Sequence, residues 1–250
     1  MNPIAFEIGN VKVYWYGIIL ASATLTGLTL AVMEAKRRNF NVDDIIDLVV
    51  FAVPVSIIFA RLYYVIFNWE LYRGNFCEMI AVWHGGIAIH GSILGGLLTT
   101  YVFTKIRKMN FWETLDIFAP SLIIGQAIGR WGNFVNQEAY GYETNLPWAM
   151  YIDGAYRHPT FLYESLWDFG VFLFLTWFKK KQGLKNGDVF WVYAAMYSVG
   201  RFFIEGLRTD SLMLGQFRIA QVMSVIAIIL AVIFIFRNHN EIFKKQSGSV

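Results

Sequence analysis

Apolar residues run along this chain in long blocks rather than in alternation. A helix that crosses a hydrocarbon core needs about 20 mostly apolar residues. Seven stretches meet or approach that length: residues 13–33, 45–67, 85–104, 115–128, 161–178, 189–204 and 219–236. The fourth and sixth are short. They need flanking residues such as Phe111 and Trp112, or a packed environment, to cross. The pattern predicts an all-α polytopic integral membrane protein with about seven transmembrane helices. It is read as one membrane-embedded domain over residues 1–250, with an external loop region around 130–159. No basic region precedes the first apolar run, so the N-terminus does not read as a cleaved signal peptide.

The polar connections set the direction of these spans. Basic residues gather at Lys36-Arg37-Arg38, at Lys105, Arg107 and Lys108, at Lys179-Lys180-Lys181 with Lys185, and at Arg237, Lys244 and Lys245. Every odd span exits into one of these clusters. Positively charged connections stay in the cytoplasm, so the N-terminus is expected outside and the C-terminus inside. Trp15, Tyr16, Trp69, Tyr72, Trp83, Trp131 and Trp148 then fall near the outer side, as an interfacial aromatic belt would. The polar tail 246–250 is expected to fray.

Composition narrows the class. Charged residues make up 16% of the chain, against about a quarter in a soluble domain, which leaves little room for a separate soluble domain. The net charge of +3 is explained by topology and does not call for a nucleic-acid partner. A single cysteine, Cys77, excludes an internal disulfide and a multi-cysteine metal site. No histidine pattern around it suggests a catalytic thiol.

The informative residues are the arginines that topology does not explain. Arg61, Arg130, Arg201 and Arg208 stand inside or at the outer ends of apolar runs. An arginine at membrane depth costs a few kcal/mol, so it faces a partner or a polar cavity. On a helix, Tyr197, Arg201, Glu205 and Arg208 form one narrow stripe. It reads either as a salt-bridge ladder that fixes packing or as an anion-binding stripe. Gln126, Arg130, Asn133 and Gln137 form a second stripe, beside Gly125, Gly129 and Gly132, provided the helix does not break before Gln137. Small residues there allow another backbone to come close, or leave room for a headgroup.

Gly91 and Gly95, with Ser92 and Gly96, give close-packing faces to the third span, and His90 sits about a turn into it. His84 and His90 are six apart and do not share a helical face, so no His–His metal site is expected. Arg157-His158-Pro159-Thr160 precedes the fifth span, where Pro159 suits a helix start and Glu164 suits the positive end of the dipole. Under the inferred topology all these pieces lie on one side of the membrane. Arginine forks suit phosphate oxygens, so a phospholipid headgroup is a reasonable ligand.

The segment Gly129-Arg130-Trp131-Gly132-Asn133-Phe134-Val135-Asn136-Gln137-Glu138 resembles the signature of the prolipoprotein diacylglyceryl transferases. Further matches follow the same order: Trp15-Tyr16-Gly17, His90-Gly91, Arg157-His158-Pro159 with Tyr163-Glu164, and Gly200-Arg201 through Glu205 and Arg208. The resemblance covers nearly the whole chain. One departure is Ser92, where the family more often carries a second glycine, and the loop 142–156 is compact.

The resemblance implies transfer of the diacylglyceryl group of phosphatidylglycerol to the lipobox cysteine of a preprolipoprotein. A thioether forms and glycerol phosphate leaves, as the first step of bacterial lipoprotein maturation at the outer face of the plasma membrane. No cofactor and no metal are implied. The thiol reacts as thiolate and has an ordinary pKa of about 8.5, so His90 is the candidate base. Arg130 and Arg201 would stabilise charge on the departing phosphate, which makes His90, Arg130 and Arg201 the expected catalytic residues. Tyr16 and Asn133 would orient the headgroup. Glu138 and Glu205 would position the arginines, Arg208 would assist, and Gly141 completes the expected substrate-binding set. An alternative passes the thiol proton to phosphate and leaves His90 structural. Two other readings compete on the residues alone. One is a lipid transporter, against which no inverted halves are visible. The other is a non-catalytic lipid-binding scaffold.

Overall fold

The computed structural model describes residues 3–9 and 11–247. Most of them are helical. The seven apolar blocks lie within α1 (Trp15–Arg37), α2 (Val42–Phe67), α5 (Ile89–Ile106), α6 (Phe111–Val135), α7 (Thr160–Phe178), α8 (Asp188–Glu205) and α9 (Ile219–Ser247), with a few residues spilling past the ends. Two short helices, α3 (Trp69–Tyr72) and α4 (Phe76–Ile80), fill the connection between α2 and α5. Over the described residues α1, α2 and the segment Ile219–Asn240 are long and apolar enough to cross a membrane. Their flanks expose large side chains such as Leu25, Ile66 and Val232, a surface suited to an apolar solvent.

Three small antiparallel hairpins interrupt the all-helical expectation. They pair β1 (Ile4–Ile8) with β2 (Val11–Tyr14), β3 (Met150–Ile152) with β4 (Ala155–Arg157), and β5 (Met213–Leu214) with β6 (Phe217–Arg218). All are too short for a span-length apolar pattern to reveal. The Asp153-Gly154 turn of the second has positive φ at both residues, 48° and 82°, as a tight two-residue hairpin requires.

Helix ends are set by polar side chains rather than by where the apolar runs stop. Asn41 caps α2 by accepting from the Asp43 amide at 3.1 Å, and Asp43 and Asp44 meet the positive dipole end. Asn110 accepts from the Glu113 amide at 3.0 Å, so α6 begins at Phe111. Its apolar run ends at residue 128, yet the helix continues to Val135 through Arg130 and Asn133. Backbone amides away from water keep their helical partners whatever the side chain. At the other end of the chain α9 continues to Ser247, so the helix takes in the start of the tail expected to fray. Residues 248–250 lie outside the described residues.

The chain forms two compact units. One is Val32–Thr114; the other joins Met1–Ala31 to Leu115–Val250. In the first, α5 lies against α2 through the small face expected from the sequence. A Cβ on Gly91 would come 2.8 Å from the Ala60 Cα, and one on Gly95 would come 2.8 Å from the Phe59 Cβ. Just past the end of α5, Arg107 pairs with Asp44 at 3.4 Å and Asp47 at 2.9 Å.

In the second unit α6, α7 and α8 share a core of Ala119, Ile123, Val171, Leu175 and Val189. Buried Asp116 of α6 accepts from the amides of Gly187 and Phe190, each at 2.8 Å, and so holds the start of α8. Asp188 ties that start to α9, accepting from Asn238 Nδ2 at 3.2 Å and meeting His239 Nε2 at 2.8 Å.

Candidate active site

The second unit gathers the polar side chains of α6, α7 and α8 around one carboxylate, that of Glu164. It lies in the first turns of α7 with its side chain 5% exposed. Its Oε2 is 2.6 Å from Arg130 Nε of α6. Its Oε1 forms an ion pair with Arg201 Nη1 of α8 and lies 3.8 Å from Arg208 Nη1. Thus three of the four unexplained arginines converge on a single acid.

The first predicted stripe forms with one change. Arg201 Nη2 pairs with Glu205 Oε2 at 2.6 Å, one helical turn on. Arg208 lies beyond the end of α8, but a turn keeps it on the same side, with its Nε 3.8 Å from Glu205 Oε2. It also pairs with Asp210 at 2.9 and 2.7 Å. Partial burial raises the Asp210 carboxyl, but the hydrogen bonds and charge of Arg208 outweigh that and hold it below its ordinary value. Tyr197 completes the stripe by accepting from Arg130 Nη2 at 3.3 Å. The salt-bridge ladder is therefore present in this set of side chains.

The second stripe is cut short. Helix α6 stops at Val135, and Gln137 adopts a left-handed φ of 53°. Its Oε1 instead accepts from the Asp153 amide at 2.9 Å, which anchors the β3–β4 hairpin. Gln126 remains on the helix and accepts from Tyr193 at 3.3 Å. Asn133 donates to Glu138 at 3.0 Å and Asn136 does so at 3.4 Å. Glu138, expected beside the arginines, thus bonds to the two asparagines instead. Tyr16, at the start of α1, packs on Gly132, where a Cβ would come 2.7 Å from its ring.

Gly141 serves as a join. Its amide donates to His158 O at 3.0 Å, and it bridges to Arg208 in antiparallel fashion. A Cβ there would come 2.6 Å from the His158 Cβ and 2.9 Å from Leu207 O. Only glycine lets the three segments meet. Beside it, Tyr163 OH accepts from Trp148 Nε1 at 2.8 Å and stands 3.3 Å from His158 Nδ1. Pro159 takes the cap position just before α7 rather than its first helical residue. On the hairpin side the Asp153 hydrogen bond raises the exposed Tyr140 hydroxyl above its ordinary value.

The first unit holds His90 and Arg61, which differ in character from that cluster. His90 lies in the first turn of α5 with its ring 5.8 Å from that of Tyr63. Arg61 is 3% exposed and donates to four carbonyls: Met79 at 3.1 Å, Gly85 at 2.5 Å, Gly86 at 2.8 Å and Glu78 at 2.5 Å. The Tyr72 ring covers it at 4.8 Å. This arginine organises the connection leading to His90. Cys77, in the same connection, is a free exposed thiol.

Two residues gain their importance only from the packing, Glu164 and Asp168. The sequence marks Glu164 as a partner for the helix dipole, and Asp168 stands one turn further along α7. Asp168 is 2% exposed, and its Oδ2 has no hydrogen-bond partner. The available signal was two acids four apart inside an apolar run, where an acid is expensive. Among the described residues no group of three or more His, Cys, Asp or Glu converges as a metal site would require.

Fold and site define a helical membrane protein that buries arginines and carboxylates together among its helices. Known sequences narrow the class. The profile of the prolipoprotein diacylglyceryl transferases matches residues 3–237. A phosphatidylglycerol–prolipoprotein diacylglyceryl transferase of Listeria monocytogenes serotype 4a is 49% identical, over 95% of this chain and 90% of its own. Enzymes of the same name from Bacillus velezensis and Bacillus mycoides are 48% and 51% identical, over 99% and 94% of this chain and 94% and 91% of their own. The chain belongs to the prolipoprotein diacylglyceryl transferase family, a family of transferases.

Proposed function

We propose that this protein transfers the diacylglyceryl group of phosphatidylglycerol to the lipobox cysteine of preprolipoproteins. The observation that carries this reading is the meeting of Arg130 and Arg201, from different helices, at one carboxylate. Two guanidinium forks converging on two oxygens of an acid would suit two oxygens of a phosphodiester equally well. In the reaction the cysteine sulfur attacks the glyceryl carbon that carries the phosphate, and the carbon–oxygen bond breaks. A carbon–sulfur bond replaces it, and glycerol phosphate leaves with the bonding pair. Arg130 and Arg201 stabilise the charge growing on the phosphate, and Arg208 assists. Glu205 aligns Arg201 and Arg208. Asn133, held by Glu138, and Tyr16 orient the headgroup, and Gly141 keeps the outer segments together. The thiol proton passes to His90 or to the phosphate itself.

The same reading places seven spans in the bacterial plasma membrane, with the N-terminus outside, the C-terminus in the cytoplasm and the reaction at the outer face. The four basic clusters support this orientation. The test combines purified protein, phosphatidylglycerol and a lipobox peptide, and measures peptide mass. A diacylglyceryl adduct on the cysteine is expected. Absence of the adduct across a range of detergents, with the protein folded, would overturn the proposal.

A further inference from the structure

Glu164 occupies the place that the proposed function reserves for the phosphate. Its two oxygens engage Arg130 on one side and Arg201, with Arg208 at 3.8 Å, on the other. The surrounding charge is closely balanced. Arg130, Arg201 and Arg208 face Glu164, Glu205 and Asp210 in direct pairs. No arginine of the three is left with an idle fork, and buried Asp168 adds a further carboxyl one turn below. A phosphodiester entering this layer therefore meets arginines that already hold an anion.

We propose that Glu164 is a resident placeholder for the substrate's phosphate, a positioning residue that the phosphate displaces on entry and that returns to expel the product. This rests on the transferase reading, and it adds a role that the reading does not contain. Two consequences follow from elementary electrostatics. Without a bridging anion, two guanidinium groups this close repel each other, so the empty site would lose its alignment. Glu164 holds them apart by the width of a carboxylate, which is near the oxygen spacing of a phosphate.

The second consequence concerns release. The diester enters with one negative charge. The departing monoester ionises again with a pKa of about 6, so product is held by the arginines more strongly than substrate. A carboxylate fixed on α7, within reach of both forks, competes for them and lowers the affinity for that dianion. In balance, the thiol gives up its proton, sulfur gains the glyceryl carbon, and the phosphate leaves with the electron pair. Glu164 forms no covalent bond and takes no proton. It exchanges ion pairs.

The experiment uses the full-length protein in nanodiscs and glycerol phosphate as the probe, read by calorimetry and by inhibition of transfer. Glu164→Gln keeps size and shape but removes the competing charge. It is expected to bind glycerol phosphate about tenfold tighter than wild type. Its KM for phosphatidylglycerol should fall, and its kcat should fall further because product lingers. Glu164→Asp keeps the charge on a shorter stem. It should leave glycerol phosphate affinity near the wild-type value while slowing transfer.

A purely structural Glu164 predicts the opposite for the glutamine variant: slower transfer with unchanged or weaker anion binding, and that result overturns the proposal. Should Glu164→Gln fail to fold, a structure of the wild-type protein with phosphatidylglycerol decides. Glu164 withdrawn from Arg130 or Arg201, with phosphate in its place, supports the placeholder. Phosphate bound elsewhere with the three-way contact intact refutes it. Transfer by the wild type without tighter anion binding in the variant defeats this inference alone. No transfer by the folded wild type defeats the underlying reading.

Discussion

Arg61 offers the clearest test of how the arginines divide. It shares its setting with the others at the level of sequence, a cation inside an apolar run. In the structure its guanidinium donates to the carbonyls of Glu78, Met79, Gly85 and Gly86 at 2.5 to 3.1 Å. Among the described residues no carboxylate pairs with it, and the Tyr72 ring closes one face at 4.8 Å. Arg61→Met retains most of the stem and removes every donor. Hydrogen bonds to a charged group contribute about 1.5–3 kcal/mol each, but four do not add, because water reaches the carbonyls once the connection opens. Each buried carbonyl left unsatisfied costs about 1–3 kcal/mol, and with some of the four rehydrated the total is about 3–5 kcal/mol.

The cost should appear locally. At a factor of ten per 1.4 kcal/mol, opening of the connection should become about a hundredfold to a few thousandfold more frequent. Hydrogen–deuterium exchange reads this directly at the Met79 and Ala88 amides, which donate to Asn75 O at 3.2 Å and Ala60 O at 3.1 Å. Faster exchange across 79–88, with α6, α7 and α8 unchanged, is expected. Transfer should fall with it, since His90 follows two residues after Ala88. Arg61→Lys should restore only part, because one ammonium cannot span four carbonyls. Unchanged exchange in Arg61→Met would show that the carbonyls do not depend on this side chain, and the division of the arginines would fail.

Other outcomes follow from the second unit. Arg130→Ala should lower transfer by about 10²–10³-fold, the usual loss for one oxyanion donor, while the protein still inserts; normal turnover would remove Arg130 from the site. Gly141→Ala should destabilise the join by about 1–3 kcal/mol through overpacking against Leu207 and His158, seen as a lower melting temperature. An unchanged melt would show that the segments can part. Asp210 is held low by Arg208, so its contribution to stability is present above its ordinary value and is lost as pH falls through the lowered one. Wild type and Asp210→Asn should therefore melt apart at pH 7 and converge under strongly acidic conditions, and a constant gap would exclude the linkage. For topology, Gln182→Cys in a Cys77→Ser background should be labelled only from the cytoplasmic side. Labelling in intact cells would reverse the orientation.

The helices were legible in the one-dimensional pattern because the relevant physics is local. Transfer of about 20 apolar residues into hydrocarbon is favourable whatever lies beside them, and each apolar block falls within a helix apart from a few residues at its ends. The same local cost identified Arg61, Arg130, Arg201 and Arg208 as residues needing partners. Glycine spacing announced the close approach of α5 to α2. Periodicity could not say which partner each arginine takes. Arg201 and Glu164 are 37 residues apart, and only the packing of α6, α7 and α8 around a shared core brings them together.

That packing separated Arg61, surrounded by carbonyls, from three arginines that share a carboxylate. It gave Glu138 to Asn133 and Asn136, and turned Gln137 from the stripe to the hairpin. It also made Glu164, which alone looks like an acid at a helix start, the centre of the layer. Local patterning along the chain sets where helices form and which charges are too costly to stand alone. Tertiary structure decided how those charges are paid, because ion pairing depends on distances that neighbouring helices set and no single helix encodes.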